Sequence, residues 1–238
     1  MRTLADLKVK LFADGADKAQ IFKWYANPLI RGFTTNPTLM RSAGVTDYEA
    51  FARDILDMVK DRPISFEVFA DDFSEMERQA RKIALWAGNV FVKIPVTNTY
   101  RHSSIEMAAT LAHSGVKVNV TAVLTLDQVR SAATALAGGA PSLISVFAGR
   151  IADTGRDPMP VMAAAAEIVS GYPNIELIWA SPRELLNIFQ ANDTGCHVIT
   201  LPEDILVKLE NVGKDLQDYS LETVRMFHKD AAKSAYKL

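Results

Sequence analysis

Short apolar or β-branched runs alternate with longer segments of helical spacing along nearly the whole chain. The runs fall at Val9–Ala13, Gly32–Thr35, Ile64–Phe69, Val90–Ile94, Val116–Val120, Leu143–Phe147, Ile175–Ala180 and Val198–Leu201. Helical patterns fill the gaps, over Asp17–Ala26, Tyr48–Val59, Ser74–Trp86, Ser104–His113, Leu126–Ala137, Pro160–Ser170, Ser181–Ala191 and Pro202–Leu209. A further amphipathic segment, Leu221–Tyr236, comes last. The punctuation agrees with this division. Thr46-Asp47 precedes Tyr48–Val59, and Thr125-Leu126-Asp127-Gln128 has capping-box spacing. Gly44, Gly88, Gly115, Gly171 and Gly195 fall where helices should stop.

Such strand–helix units predict parallel strands joined by crossover helices. The strands are mostly apolar, and the simplest closure is a (β/α)8 TIM barrel. Residues 1–238 then form one barrel domain with an extra C-terminal helix. A doubly wound open sheet is the competing architecture. No Gly-x-Gly-x-x-Gly follows a strand, which removes the main reason to prefer a dinucleotide-binding fold.

A chain of 238 residues suits one such barrel. Its composition, 49% hydrophobic and 23% charged, excludes a disordered chain and permits a large core without staples. With 26 Lys+Arg against 28 Asp+Glu, the net charge of −2 leaves no electrostatic footprint for nucleic acid. One cysteine, Cys196, excludes an intrachain disulfide and a Cys-rich metal site. No run approaches the roughly 18 apolar residues that span a bilayer, and Met1–Asp6 lack the apolar core of a signal peptide. The expected location is cytoplasmic, without a membrane or nucleic-acid partner.

In a barrel, reactive side chains come from the C-terminal ends of strands and the loops after them. The polar residues there are Asp14, Thr34-Thr35-Asn36, Glu67, Lys93, Asn119, Thr121, Ser145, Arg150, Ser181 and Arg183. Lys93, inside Val90-Phe91-Val92-Lys93-Ile94-Pro95, is the most unusual. Burial favours the neutral amine of a lysine and makes it a nucleophile, so one reading is a Schiff-base residue. The other is a structural ion pair with Glu67 or Asp14. Asp14 ends the first run and also suits a turn or helix cap. Glu67 is centred in Ser65-Phe66-Glu67-Val68-Phe69, where a carboxylate is costly unless paired. One lysine and two carboxylates in the same barrel mouth would form an acid–base set. Asn119 and Thr121 alternate with Val118 and Val120, so both can face the interior. Read singly, small polar residues such as these satisfy one another at strand ends. Arg150 and Arg183, with Ser181 and a helix N-terminus, suit either a phosphate site or surface salt bridges.

Other residues carry no such signal. His102, His113, His197 and His228 lack metal-ligand spacing, so no metal is expected. Cys196 has no base placed to activate it and reads as a buried small hydrophobe. Trp24, Trp86 and Trp179 read as core, and Ala163–Ala166 as a close-packed helix face.

The residues singled out line up with one family. Gly32-Phe33-Thr34-Thr35-Asn36-Pro37-Thr38-Leu39-Met40 resembles the N-terminal signature of transaldolases. Val92-Lys93-Ile94-Pro95 with Thr97 resembles the segment carrying their Schiff-base lysine. Ile144–Asp153 and Ala180-Ser181-Pro182-Arg183 resemble two later blocks, in family order. The length is similar to that of the compact subfamily that also includes fructose-6-phosphate aldolases. The resemblance implies a class I barrel enzyme without metal or organic cofactor, acting on sugar phosphates in carbohydrate metabolism such as the pentose phosphate pathway. It implies catalytic roles for Lys93, Asp14, Glu67 and Thr121. Thr34, Asn36, Asn119, Ser145 and Phe147 would bind the sugar, and Arg150, Ser181 and Arg183 its phosphate. Glu67 and Phe147 are transaldolase-like, where the aldolases usually carry Gln and Tyr. The expected activity is dihydroxyacetone transfer from fructose 6-phosphate or sedoheptulose 7-phosphate to an aldose phosphate. An aldolase releasing free dihydroxyacetone is the alternative, and a silent sugar-phosphate-binding barrel a third reading. A homo-oligomer is expected.

Overall fold

Each apolar run becomes a parallel strand, and the strands close on themselves in chain order. They are β1 (Lys10–Asp14), β2 (Ile30–Thr34), β3 (Ile64–Glu67), β4 (Val90–Pro95), β5 (Val118–Val123), β6 (Ser142–Val146), β7 (Ile175–Trp179) and β8 (Val198–Pro202). Closure is made by β8 pairing with β1, in a register that runs from Lys10↔Val198 to Asp14↔Pro202. The computed structural model describes residues 2–234. Helices follow the strands: α1 (Lys18–Tyr25), α2 (Pro37–Ser42), α3 (Tyr48–Met58), α4 (Phe73–Ala84), α5 (Ile105–His113) and α6 (Leu126–Leu136). The second half carries α7 (Ala148–Ala152), α8 (Met159–Ser170), α9 (Leu186–Asp193), α10 (Glu203–Leu206) and α11 (Leu216–Ser234). The architecture is the expected (β/α)8 barrel with an extra C-terminal helix.

Local chemistry explains the helix starts. Asp17, Asp47, Asp72 and Thr125 each accept a hydrogen bond from a first-turn backbone N–H of α1, α3, α4 and α6. Thr125 and Gln128 complete the capping box that their spacing predicts. Four expectations are corrected. The short helices α2 and α7 fall inside the second and sixth connections. α2 is signalled by Asn36 as N-cap and Pro37 at the first helical position. The helix expected over Ser181–Ala191 starts five residues later, because Ser181 has φ +60° and Asn187 Oδ1 accepts from the backbone N–H of Arg183 and Glu184. The last strand pairings of β5 also move: it runs to Val123 through an irregularity between Val120 and Val123. The segment expected over Leu221–Tyr236 is helical from Leu216, and Tyr236 lies outside the described residues.

Two apolar layers result from the alternation of side chains along each strand. Outward residues such as Leu11, Phe33, Phe66, Val92, Val120, Ile144, Trp179 and Leu201 join the helices in one large core. Inward residues Phe12, Leu143, Ile178, Ala180 and Val198, with Phe91 and Phe147 packed on them, form a separate cluster that plugs the barrel interior. Two residues further along the same strands come Asp14, Lys93, Ser145 and Thr200. The period-2 pattern therefore places a polar layer directly on the apolar plug, at the C-terminal end of the barrel. Below the plug, Lys10 and Glu176 form an ion pair at 2.5 Å.

The plug is tightly filled. A Cβ on Gly32 would lie 2.5 Å from the Phe12 ring. Gly32→Ala is therefore expected to destabilise the barrel by about 1–3 kcal/mol through overpacking. Thermal denaturation should show the loss, and Phe12→Leu in the same chain should recover part of it. A Gly32→Ala protein that melts with the wild type would show that the ring moves aside freely.

Candidate active site

The polar layer floors a cleft of about 440 Å³ at the C-terminal mouth of the barrel. Asp14, Thr34, Asn36, Glu67, Lys93, Thr121, Ser145, Phe147, Arg150 and Ser181 all line it. These come from β1, β2, β3, β4, β5, β6 and the loops that follow, so only closure of the sheet brings them together.

Lys93 enters the interior from β4 and crosses to the far side of β3. Its Nζ donates to the Thr35 backbone carbonyl at 2.9 Å and lies 3.3 Å from Glu67 Oε2. Both side chains are largely buried, with exposures of 7% and 15%. Lys93 and Glu67 are also neighbours in the β3–β4 register, which sets the pair by backbone pairing rather than by long side chains meeting at random. Desolvation pushes the Glu67 carboxyl above its ordinary range. The Lys93 charge and hydrogen bond oppose this, and Asp14 adds to it.

Asp14 stands at the end of β1. Desolvation also raises its carboxyl, against the lowering effects of Lys93 and of a hydrogen bond from Thr34. Thr34 Oγ1 lies 2.7 Å from Asp14 Oδ1 and 2.5 Å from Thr200 Oγ1. Thr34 has one hydroxyl hydrogen, and the carboxylate can only accept. Thr200 therefore donates to Thr34, which donates to Asp14, in a chain running from β8 through β2 to β1. Thr200 lines the cleft but was not among the expected site residues. The signal was available, since Thr200 is two positions after the inward-facing Val198.

A second belt lies in the floor. Ser145 Oγ donates to Asn119 Oδ1 at 2.8 Å, and Asn119 Nδ2 donates to Ser65 Oγ at 3.0 Å. Asn119 is wholly buried beneath the lining, so it orients Ser145 rather than facing the cleft. Asn36 spends its Oδ1 on capping α2, by accepting from Leu39 N–H at 3.0 Å. Its amide nitrogen is left for the cleft. Thr121 Oγ1 is buried on the cleft wall with no protein hydrogen-bond partner. A hydroxyl so placed suits a bound polar group.

The two arginines do not converge. Arg150, exposed on α7, lines the cleft. Arg183 is turned away and grips Asp153 with both Nε, at 2.9 Å, and a terminal nitrogen. That contact holds the Asp153 carboxyl below its ordinary range. The expected pair of guanidinium groups is thus one cleft residue and one surface ion pair. The cause is local. Ser181, in the left-handed region, and Pro182 redirect the chain after β7, and the Ser181 carbonyl occupies the space a Cβ on Gly149 would need. Ala122, another cleft residue, also has φ +60°. Of the three non-glycine residues in this costly region among the described residues, Ser181 and Ala122 border the cleft and Arg101 does not.

The remaining candidates are structural. Cys196 is buried against the Leu177 and Val198 carbonyls, and burial pushes its thiol up to about 12. Among the described residues, no three His, Cys, Asp or Glu side chains group so as to hold a metal ion. Among the same residues, no helix is long and apolar enough to cross a membrane.

A polar cleft on the C-terminal face, floored by a buried amine and two carboxylates, defines a (β/α)8 barrel of the enzyme type. The chain belongs to the Transaldolase/Fructose-6-phosphate aldolase family, whose sequence model matches residues 11–238. A probable transaldolase of Dehalococcoides mccartyi is 35% identical over 202 residues, covering 84% of this chain and 90% of the relative. Another, from Methanococcus maripaludis, is 34% identical over 225 residues, covering 91% of this chain and all of the relative, 100%. Solved structures share the fold at low identity. KGPDC from Streptococcus mutans has a TM-score of 0.55 at 10% identity, over 84% of this chain and 90% of that one. An aldolase called QR15 has a TM-score of 0.53 at 12% identity, over 82% of this chain and 91% of that one.

The raised carboxyls carry a stability signature. A carboxyl raised by folding binds its proton more tightly in the folded chain. Its contribution is full at low pH and is lost as pH climbs from the ordinary carboxylate range through the raised value. Asp14→Asn keeps the acceptor for Thr34 and removes the charge. It should melt with the wild type near pH 4 and above it at pH 7, by about 2–4 °C for roughly 1 kcal/mol in a chain of this size. Melting curves at the two pH values check this, and a variant that is less stable at pH 7 would refute the sign.

Proposed function

We propose that this enzyme is a transaldolase that carries a dihydroxyacetone unit on Lys93. The observation that supports it most directly is the Lys93 amine itself. It is buried in the cleft floor, held by the Thr35 carbonyl, and within 3.3 Å of a carboxylate whose proton affinity is raised. No other lysine is among the residues lining the cleft.

On this reading Lys93 gives a proton to the neighbouring Glu67 carboxylate, and the freed amine attacks the C2 carbonyl of a ketose phosphate. The carbinolamine loses water and becomes an iminium, with Glu67 supplying and recovering protons through a water held with Thr121. Asp14, more basic than a free aspartate, takes the C4 hydroxyl proton. The C3–C4 bond then breaks, its electron pair moves into the iminium to give an enamine, and the shortened aldose leaves. An incoming aldose phosphate accepts the enamine carbon and recovers the proton from Asp14. Hydrolysis of the new iminium frees the lysine. Thr200 and Thr34 orient Asp14. Asn36 and Ser145, the latter held by Asn119, face the hydroxyls of the three-carbon unit. Phe147 adds an apolar wall that supplies no hydroxyl near the enamine. Arg150 and Ser181 meet the phosphate. Arg183 joins them only by leaving Asp153. The sugar-phosphate substrate and a cytoplasmic setting are part of this reading.

Borohydride reduction in the presence of fructose 6-phosphate should add the substrate-derived mass to the peptide carrying Lys93. Lys93→Ala should be inactive. Asp14→Asn should still be trapped, while its carbon–carbon cleavage slows by about 10²–10⁴-fold, the usual contribution of a general base. Labelling of another lysine, with Lys93→Ala active, would end the Schiff-base reading.

Transfer and release are separated by one further measurement, the rate with erythrose 4-phosphate present against the rate of free dihydroxyacetone release. Transfer should be much the faster. Phe147→Tyr, alone or with Glu67→Gln, should raise release relative to transfer. Equal rates in the wild type would make the protein an aldolase.

A further inference from the structure

Glu67 is held from behind by a residue outside the cleft. After Ser65 the strands β2 and β3 part company: the paired register covers only Phe33↔Ile64 and Thr34↔Ser65, with one further bond from Thr35 N–H to the Ser65 carbonyl. The end of β3 therefore presents the Glu67 backbone with no neighbouring strand on that side. The Tyr48 hydroxyl takes that place. It donates to the Glu67 carbonyl at 2.8 Å and accepts from the Glu67 N–H at 2.8 Å. On the other edge, β3 pairs Glu67 with Lys93, and Val68 N–H donates to the Lys93 carbonyl.

The Tyr48 ring is fixed in turn. It is the first residue of α3, whose start Asp47 caps, and it packs edge-on or tilted against Phe66, Phe69 and Trp86 at 5.7–6.3 Å between ring centres. A phenol gripping both backbone groups of one residue fixes that residue's φ and ψ and hence the aim of its side chain. The side chain so aimed is the carboxylate beside Lys93. The charged groups facing Glu67 are Lys93 on β4 and Asp14 on β1. Burial holds the phenol protonated well above its ordinary range, so it remains a donor at neutral pH.

We propose that Tyr48 is the positioning residue for Glu67, substituting for a missing strand so that the Glu67 carboxylate stays aligned with the Lys93 amine during imine formation. The proposal deepens the transaldolase reading and rests on it. Tyr48 does not line the cleft and has no contact with substrate to lose.

The test compares Tyr48→Phe, Trp86→Phe, Glu67→Gln and the Tyr48→Phe/Glu67→Gln pair, with fructose 6-phosphate as probe. The readouts are the single-turnover rate of borohydride-trappable imine, KM, and the pH profile of the rate. Tyr48→Phe should slow imine formation about tenfold, keep KM within about twofold, and move the acid limb of the profile. In the Glu67→Gln background it should cost less than about twofold, because the residue it acts through is already disabled. Trp86→Phe loosens the same aromatic cluster without touching the hydroxyl, and should leave the pH profile unchanged.

A wild-type rate in Tyr48→Phe overturns the proposal. So does an equal loss in the Glu67→Gln background, or the same pH shift in Trp86→Phe. Should Tyr48→Phe not fold, 3,5-difluorotyrosine at position 48 keeps the ring and both bonds but ionises at lower pH. The alkaline limb must then move down, and an unmoved limb overturns the proposal. Absence of any trapping on wild-type Lys93 defeats the Schiff-base reading and this proposal together, whereas trapping with an unaltered Tyr48→Phe defeats only the proposal.

Discussion

The Lys93 amine, held between the Thr35 carbonyl and the Glu67 carboxylate inside a closed barrel, is the contact on which the site depends. A buried cation is costly unless its protons find acceptors and its charge a partner. Here both are supplied by strands β2 and β3, two and one places away around the barrel. The lysine therefore needs closure of the sheet to be tolerated, and the same closure gathers the side chains that line the cleft around it.

That arrangement draws on the same alternation that fills the barrel. Phe12, Phe91, Leu143, Ile178 and Val198 face inward and exclude water from the middle of the barrel. Asp14, Lys93, Ser145, Ala180 and Thr200 are two residues further on. A polar group standing on an apolar plug is open to solvent on one side only. This is why desolvation is the leading cause of the raised Asp14 and Glu67 carboxyls, even with a lysine close by. The folded chain gives up some stability at neutral pH to hold these groups as it does, a trade common at functional sites.

Support for the site comes from groups behind it. Thr200 and Thr34 aim Asp14, Asn119 aims Ser145, and Tyr48 grips the Glu67 backbone. Each supporter sits on a different element from the residue it holds. The left-handed Ser181 and Ala122 backbones mark two further places where the loops are bent to fit the cleft rather than their own preferences.

The sequence alone pointed to the barrel and to most of the polar residues that line its cleft. Eight apolar runs separated by capped helical segments specify parallel strands with crossovers. A lysine and a glutamate placed in such runs, at Lys93 and Glu67, are legible because a charge is so costly there. What the pattern along one strand cannot carry is contact between strands far apart in the chain. Tyr48, the first residue of a helical segment, carries no signal of its own until β2 and β3 separate and leave the Glu67 backbone to it. Thr200 gains its meaning from the pairing of β8 with β1, and Arg183 loses the cleft because the turn after Ser181 points it at Asp153. Local periodicity records which face of an element is buried. Only closure of the barrel decides which residues meet there, because that depends on register and on backbone turns between segments up to the whole chain apart.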